Sequence, residues 1–392
     1  MTLSDVMLYI IKCAVTGEEL SKTLFANFGF DDWNNLLEFS KQHNLAHIIG
    51  DVLIENGIIE DEKIKSLFYN QTLKALMHFG RCTEETERMK SAFTKADIPF
   101  VILKGTAINS IYPKPWYRSS ADIDILIKSE DINRATLVLV EELKYENRET
   151  RSHDIQLYAP SGVYTELHFD LIEDRSTLNF DKVLSNVWNY TVNKDGSCYV
   201  LNDTMTVFYH IAHMAKHFAS AGCGVRPFID LYLMQSHFNP QKEELEKMLK
   251  ECEILTFAKA ALKLANVWFG TEQGDSLTEK TANYILNGGI FGNKTTSLIA
   301  DQTKTGEKRN FIIARLFPLA ESMKMNYPSL NKHPKLLPFY YLFRIVRLPF
   351  GGRFFMRLKE IKYNRSISDK QINDSIDMFN ELGLKKTNNS QK

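Results

Sequence analysis

The sequence predicts an α+β fold in which a small mixed β-sheet core is flanked by N-terminal and C-terminal helical regions. Three observations support this prediction. Apolar residues recur at helical spacing up to about residue 95, short apolar runs bounded by turn residues begin at Ile98, and helical spacing returns at Asp203. These changes divide the chain into an N-terminal helical region, an α/β core, a C-terminal helical domain and a basic amphipathic C-terminal segment, at residues 1–95, 96–202, 203–330 and 331–392.

The individual elements follow from the same patterns in chain order. An apolar stripe predicts one long helix at about 60–95, and the apolar runs 100–103 and 122–127 predict buried strands. Ser129 is predicted as the N-cap of a helix that extends to Leu143. A hairpin around a Pro-Ser-Gly turn is predicted from the runs 153–158 and 163–169. Four helices are predicted after it, at 204–218, 227–237, 242–252 and 257–269.

Composition excludes several classes of protein. The chain has 392 residues with 48 basic and 48 acidic side chains, so its formal net charge is zero. A uniformly basic nucleic-acid binder and an acidic disordered protein are therefore disfavoured. No run of about 18 apolar residues occurs, so no transmembrane helix is predicted. Residues 1–20 lack a basic start followed by an apolar block, so no secretory signal is predicted. Five scattered cysteines without a C-x-x-C pair predict no disulfide framework and a cytoplasmic location.

Acidic residues on two predicted strands form the first candidate site. Asp122 and Asp124 lie two residues apart, so their side chains share one face of a strand while the intervening isoleucines point into the core. Neighbouring carboxylates repel unless a cation lies between them, and Mg²⁺ prefers such oxygen ligands. Glu166 on the later strand supplies a third carboxylate, and three carboxylates can hold two metal ions. The alternatives are two solvated acids at a strand end and a hairpin whose solvent face carries Glu166, His168 and Asp170.

The turn after the first strand forms the second candidate site. Lys104, Gly105 and Thr106 end a strand and begin a predicted helix. Backbone N–H groups at such a turn can bind phosphate, glycine permits close approach, and Lys104 adds a positive charge. Alternatively, Thr106 is an ordinary helix cap and Gly105 an ordinary turn residue. The order of glycine turn, acidic pair and later single acid makes the phosphate interpretation more specific.

This order resembles the DNA polymerase β-like nucleotidyltransferase superfamily, and more narrowly a bacterial family of uncharacterised nucleotidyltransferases. The resemblance covers roughly 36–230. It rests on residues of the turn, the acidic pair, the third strand and a later helical segment: Leu103, Lys104, Gly105, Arg118, Asp122, Asp124, Glu166, Leu167, His168, His210, His213, His217, Arg226 and Asp230. The sequence departs from the superfamily at the turn, where Lys104-Gly105 replaces the usual start of a Gly-Gly/Ser pattern. The connection from Thr106 to Asp122 is also long.

The resemblance implies a Mg²⁺-dependent transfer of NMP from an NTP, ATP included, to an acceptor hydroxyl with release of pyrophosphate. It implies that Asp122, Asp124 and Glu166 are catalytic and hold two Mg²⁺ ions, with Mn²⁺ as an alternative metal. It also implies that residues near the turn bind the triphosphate, namely Lys104, Gly105, Thr106, Arg118 and Arg226. The sequence does not choose among a small molecule, a polysaccharide precursor, a protein and an RNA end as the acceptor.

The helical region after the core adds a further polar group. His210, His213 and His217 share one helix face. This face could line a cleft, lie at an interface between domains or bind a metal ion. Arg226 and Asp230 are one helical turn apart and form either an intrahelical ion pair or part of the cleft. His168 is a further candidate cleft residue. Two other functions stay open. The altered glycine turn also fits a catalytically silent nucleotide-binding or antitoxin-like module, and the three histidines also fit a His-dependent metal phosphohydrolase.

The segment that begins at Lys332 and ends at Arg365 has an unusual charge. It carries nine basic residues and one acidic residue among many aromatic and aliphatic ones, whereas residues 1–331 carry 35 bases and 43 acids. An anionic lipid surface, an RNA, or packing of the helix on its own domain each fits this composition. The lipid interpretation predicts a cytoplasmic protein that is peripheral to a membrane.

Overall fold

The computed structural model is a mixed α/β protein with a seven-stranded mixed sheet and helices toward both ends of the chain, which confirms the predicted fold class. It describes residues 1–172, 178–220, 222–288, 329–347 and 369–384, with single positions between 317 and 327. Among these residues no helix is both long and apolar enough to cross a membrane.

The sheet places the first two predicted strands at its centre, with the order β3-β4-β5-β2-β1-β7-β6. β1 is antiparallel to β2 and parallel to β7, whereas β2 is parallel to β5. The remaining pairs, β3 with β4, β4 with β5 and β6 with β7, are antiparallel. The strands are β1 (Phe100–Leu103), β2 (Asp122–Ile127), β3 (Glu146–Thr150), β4 (Asp154–Tyr158), β5 (Tyr164–His168), β6 (Thr191–Asp195) and β7 (Cys198–Leu201).

Helices of the described residues pack on both sides of the sheet. The N-terminal helices are α1 (Leu3–Thr16), α2 (Phe30–Gln42), α3 (Ala46–Glu55) and α4 (Glu62–Lys95), and those within the core are α5 (Lys104–Ile108), α6 (Ile132–Leu137) and α7 (Asp181–Leu184). The later helices are α8 (Asp203–Ser220), α9 (Arg226–His237), α10 (Lys242–Glu251), α11 (Leu255–Phe269), α12 (Ser276–Gly288), α13 (Ser329–Lys332), α14 (Leu337–Arg347) and α15 (Asp369–Glu381).

The long helix α4 begins and ends close to the predicted 60–95. The Asp61 side chain caps it by accepting hydrogen bonds from the backbone N–H groups of Lys63 and Ile64, which satisfies two amides that lack helical partners. Its C-terminal half buries Met89 and Phe93 against the sheet. The helix therefore covers one face of the sheet.

Alternation along β2 decides which face carries the acids. Ile123, Ile125 and Ile127 are buried in the cluster that includes α4. Leu126 belongs instead to the larger cluster that joins the other face of the sheet to the N-terminal helices and to α8–α12. Because Asp122 and Asp124 share the face of Leu126, they point away from α4 and toward α8 and α9.

One local prediction was wrong, and another was right in its bounds but not in its type of helix. Ser129 does not cap a helix with its side chain, because its hydroxyl donates to the backbone oxygen of Phe169 across the fold. The predicted helix to Leu143 is built from a 3₁₀ turn, the short α6 and a π-helical turn over Val138–Glu142. A π turn widens the helix, and periodicity at 3.6 residues does not reveal it.

The buried His47 ties α3 to the loop before β2, and its protonation should weaken the fold. Its Nε2 donates to the backbone oxygen of Tyr117 at 3.1 Å. Burial, together with the nearby Arg226, lowers the pKa of His47 to about 4. The unfolded chain then takes up a proton near pH 6.5 that the folded chain takes up only near pH 4, so stability is lost as pH falls between these values.

We expect the free energy of unfolding to fall by about 2.5 kcal/mol from pH 7 to pH 4.5 because of His47 alone. Urea denaturation at both pH values measures this in the native protein and in His47→Gln, which removes the titrating group and keeps an N–H donor. Equal pH dependence in the two proteins would contradict the assignment.

Candidate active site

The three acids predicted from sequence lie on adjacent strands. In the parallel pairing of β2 with β5, Asp124 is the Cα partner of Glu166, and on the other side Leu103 is the partner of Asp124. Asp122 precedes Asp124 by two residues on the same face. The structure therefore brings together Asp122, Asp124 and Glu166 beside the turn that follows β1.

Asp124 is the centre of a buried charge network. Its side chain is 2% exposed, and its Oδ1 accepts from Lys104 Nζ at 2.6 Å and lies 2.8 Å from Nε2 of His168. Burial alone would raise the pKa of Asp124, yet Lys104 and His168 together hold it well below its usual value. Asp124 is therefore an ionised carboxylate that already binds one cation of the protein itself.

Asp122 lies outside this pairing, and the neighbouring acids repel its negative charge. Burial, the neighbouring Asp124 and Glu166 raise the pKa of Asp122 to about 6, although Lys104 opposes the shift. One ammonium group thus faces a cluster of three carboxylates. An added divalent cation would relieve the remaining repulsion.

His168 lies behind the acids rather than at the surface of the cleft. Its side chain is buried, and its Nε2 is 3.5 Å from Glu166 Oε2 as well as close to Asp124. Burial favours the neutral ring, but the two carboxylates prevail and raise the pKa of His168. The hydroxyl of Tyr164 donates to Glu166 Oε1 at 2.9 Å, which fixes the third acid from its other side.

The donor set fits a divalent metal. Among the residues that the structure describes, one group could share an ion: Asp124, Glu166 and His168 each offer a ligand atom within 4.8 Å of the others. Two carboxylates with Asp122 beside them are the hard oxygen ligands that suit Mg²⁺, whereas the imidazole of His168 can be a ligand only in its neutral form. Lys104 would have to release or share Asp124 for an ion to bind.

The turn after β1 is tighter than the sequence suggested. Lys104 adopts a left-handed backbone with φ of 51° and is already the first residue of the five-residue helix α5, so Thr106 lies inside that helix rather than at its cap. Gly105 is buried, and a Cβ there would collide with Ser120 Oγ and lie 2.7 Å from Arg118 Nη1. The loop before β2 therefore packs closely on Gly105, and a larger residue there would have to displace the ends of the Ser120 and Arg118 side chains.

Gly105→Ala should lower the free energy of unfolding by about 1–3 kcal/mol, because the new methyl group displaces the Ser120 side chain and the Arg118 guanidinium. Thermal unfolding measures the loss. Adding Ser120→Ala removes the nearest colliding atom and should recover part of it. A fully stable Gly105→Ala protein would show that this packing is not tight.

Arg118 and Asp230 form an ion pair that joins the core to α9. Arg118 Nε donates to Asp230 Oδ1 at 2.6 Å, and the hydroxyl of Tyr112 donates to the same oxygen. Of the two interpretations of Arg226 and Asp230, the intrahelical ion pair is therefore wrong, because Asp230 pairs with Arg118 across the fold. Tyr112 was missed, because an isolated tyrosine in a loop gives no sequence signal.

Arg226 is turned toward the loop before β2. Its Nη1 donates to the backbone oxygen of Ser119 at 2.8 Å and its Nη2 to that of Asn44 at 3.1 Å, while its Nε has no hydrogen-bond partner within the described residues. Burial and the nearby Arg118 lower the pKa of Arg226 to about 10. Two guanidinium groups, of Arg118 and Arg226, and the one carboxylate of Asp230 thus leave a net positive charge in this part of the site.

The three histidines of α8 face the same space but do not form a metal group with one another among the described residues. His210 is hydrogen-bonded to the backbone oxygen of Pro227 at 2.9 Å, whereas His213 and His217 approach through their Nε2 atoms at 3.0 Å. Burial, followed by the charge of Lys104, lowers the pKa of His213 well below its usual value. Since these histidines are not part of a group of three possible metal ligands among the described residues, the metal-site interpretation of this helix face stays a prediction.

A cavity of 2010 Å³ connects these groups. Its wall includes most of the predicted site residues and several that sequence reasoning missed, such as Ser120 and Tyr209, but not His168. The predicted residues in the wall are Lys104, Gly105, Thr106, Arg118, Asp122, Asp124, Glu166, His210, His213, His217, Arg226 and Asp230.

A mixed sheet with an acidic pair and a third acid on adjacent strands, next to a glycine turn, is the arrangement that the sequence led us to expect of a nucleotidyltransferase. A family model described as an uncharacterised nucleotidyltransferase matches residues 31–270, and the chain belongs to this family. The match includes every residue of the site and supports a nucleotidyl-transferring enzyme. Searches of curated proteins and of solved structures gave no significant match.

Proposed function

We propose that the protein transfers NMP from an NTP to an acceptor hydroxyl with release of pyrophosphate, in a reaction that depends on Mg²⁺. The observation that carries the proposal is the cluster of Asp122, Asp124 and Glu166 on adjacent strands beside Gly105. A carboxylate cluster of this kind is suited to phosphoryl-type transfer, in which positioning and charge neutralisation supply most of the catalysis.

In this proposal Asp122, Asp124 and Glu166 hold the metal. A bound Mg²⁺ supplies positive charge to the phosphates, and two such ions would serve both the attacking and the leaving oxygen. His168 and Tyr164 orient Asp124 and Glu166 through the hydrogen bonds described above. A carboxylate of this cluster would also accept the proton of the acceptor hydroxyl.

The basic groups of the cavity wall would bind the triphosphate. Lys104, once released from Asp124, and the guanidinium group of Arg118 lie beside Gly105, and Arg226 lines the same cavity. The bond that forms joins the acceptor oxygen to the α-phosphorus, and the bond that breaks joins the α-phosphorus to the bridging oxygen of pyrophosphate. A cavity of 2010 Å³ exceeds the roughly 300–1,000 Å³ of ordinary ligand sites, which leaves room for an acceptor beside the nucleotide.

Labelled nucleotides test this reaction directly. Each of the four NTPs, labelled at the α- or the γ-phosphate, is incubated with Mg²⁺ and with fractions of a cell extract as the source of acceptor. We expect α-label to enter one fraction and γ-label to appear in pyrophosphate. Transfer of γ-label to the acceptor would instead indicate phosphoryl transfer and refute the proposal.

A second candidate is a nucleotide-binding module without transfer activity, such as an antitoxin-like protein. The contact that favours it is the ion pair of Lys104 with Asp124, since an ammonium group there competes with a metal for the same oxygen. The same labelling experiment separates the two candidates, because the silent module would bind NTP without releasing pyrophosphate under any acceptor fraction.

A further inference from the structure

Helix α14 carries an exposed apolar surface that the nucleotidyl-transfer site does not use. Phe339 is 70% exposed and Leu342 is 61% exposed, and both are large apolar side chains. Leu336, just before the helix, and Phe343 are exposed as well. These four residues are called the apolar face below. Leu336, Phe339 and Leu342 follow one another at intervals of three residues and Phe343 adjoins Leu342, so together they occupy one broad side of a helical path.

The orientation of α14 is fixed by its tyrosines. The ring of Tyr340 packs on Tyr327 with centroids 4.8 Å apart, and its hydroxyl lies 2.7 Å from the hydroxyl of Ser329. Tyr341 makes an edge-to-face contact with Phe317 at 5.4 Å. The helix is thus attached through Tyr340 and Tyr341, and this attachment leaves Phe339 and Leu342 in solvent.

The surrounding sequence is strongly basic. The segment 332–365, which contains α14, has nine basic residues and one acidic residue, whereas residues 1–331 have eight more acids than bases. Lys335, beside the apolar face, is exposed. An apolar surface within a basic segment is complementary to a surface that offers both hydrocarbon and negative charge.

We propose that the apolar face docks the protein on the surface of an anionic lipid bilayer, with α14 lying in the interfacial plane. Aliphatic Leu336 and Leu342 favour this partner over RNA, because RNA is bound by basic grooves and by aromatic rings that stack on bases. The site of nucleotidyl transfer plays no part in this contact, so the inference stands independently of the proposed reaction.

Co-sedimentation of the full chain with vesicles tests the proposal. One set of vesicles is pure phosphatidylcholine, and the other contains about 30 mol% phosphatidylserine. We expect the protein to sediment with the anionic vesicles and to be released by high salt. Phe339→Ser combined with Leu342→Ser should lower binding by roughly tenfold or more, because both side chains would otherwise enter the interface.

A matched control is Leu76→Ser combined with Met77→Ser, which removes two exposed apolar residues from α4 and should leave vesicle binding unchanged. Thermal unfolding checks that both double variants fold, and Phe339→Leu alone should retain binding since it keeps an apolar group. The proposal is overturned by equal sedimentation of the native protein and the α14 variant, by equal loss in the α4 control, or by binding to single-stranded RNA without binding to vesicles.

Discussion

Replacing Asp124 by Asn is expected to lower the rate of nucleotidyl transfer by about 10³-fold or more. Asp124 is the partner of Glu166 in the sheet register and shares one oxygen between Lys104 and His168. Asn keeps the shape and a hydrogen-bonding oxygen but removes the negative charge that a metal ligand needs. The rate is measured as transfer of α-label at saturating NTP and Mg²⁺.

Two further variants separate a catalytic loss from a folding defect. Asp122→Asn keeps the buried pair of Lys104 with Asp124, so its activity should fall while its thermal stability is preserved. Asp195→Asn removes an acid from another part of the cavity wall and should retain near-native activity. Activity of Asp124→Asn within about threefold of the native rate would contradict the assignment of the acids.

Replacing Lys104 by Met should destabilise the metal-free protein by about 3 kcal/mol and make Mg²⁺ a much stronger stabiliser. Without the ammonium group, Asp122, Asp124 and Glu166 repel one another in a buried site. A divalent ion can then bind Asp124 without displacing Lys104. Unfolding temperatures with EDTA and across a Mg²⁺ titration measure both effects.

Lys114→Met is the matched control for this experiment. Lys114 is also a partly buried lysine between two acids, Asp51 and Glu55, but those acids lie away from the cluster. Its loss should lower stability without changing the response to Mg²⁺. If Mg²⁺ stabilises the Lys104 and Lys114 variants equally, then the acid cluster is not where the ion binds.

The centre of the fold could be predicted because its signals are local. The strands β1 and β2 are short apolar runs, and alternation within 122–127 correctly placed the two aspartates on one face and the isoleucines in the core. Most later helices begin and end within a few residues of their predicted bounds, since their apolar stripes are regular. Recognition of the family followed from the order of the same motifs.

The contacts between distant residues could not be predicted. Lys104 was expected to meet phosphate, and its pairing with Asp124 depends on the register of β1 and β2. Arg118 reaches Asp230 across 112 residues of sequence, so spacing within α9 favoured Arg226 as the partner instead.

The polar strands β3 and β6, which are largely exposed, lack the alternation that marks a half-buried strand. The part of the basic segment 332–365 that follows Arg347 lies outside the described residues.

Calorimetric binding of NTP analogues tests the central claim most directly, because it needs no acceptor. The analogues carry a methylene group between the α- and β-phosphates and cannot release pyrophosphate. If Asp122, Asp124 and Glu166 bind a metal–nucleotide complex, at least one analogue should bind with Mg²⁺ and about 100-fold more weakly with EDTA or in Asp122→Asn. Equal affinity in all three conditions would contradict a metal–nucleotide site at these acids.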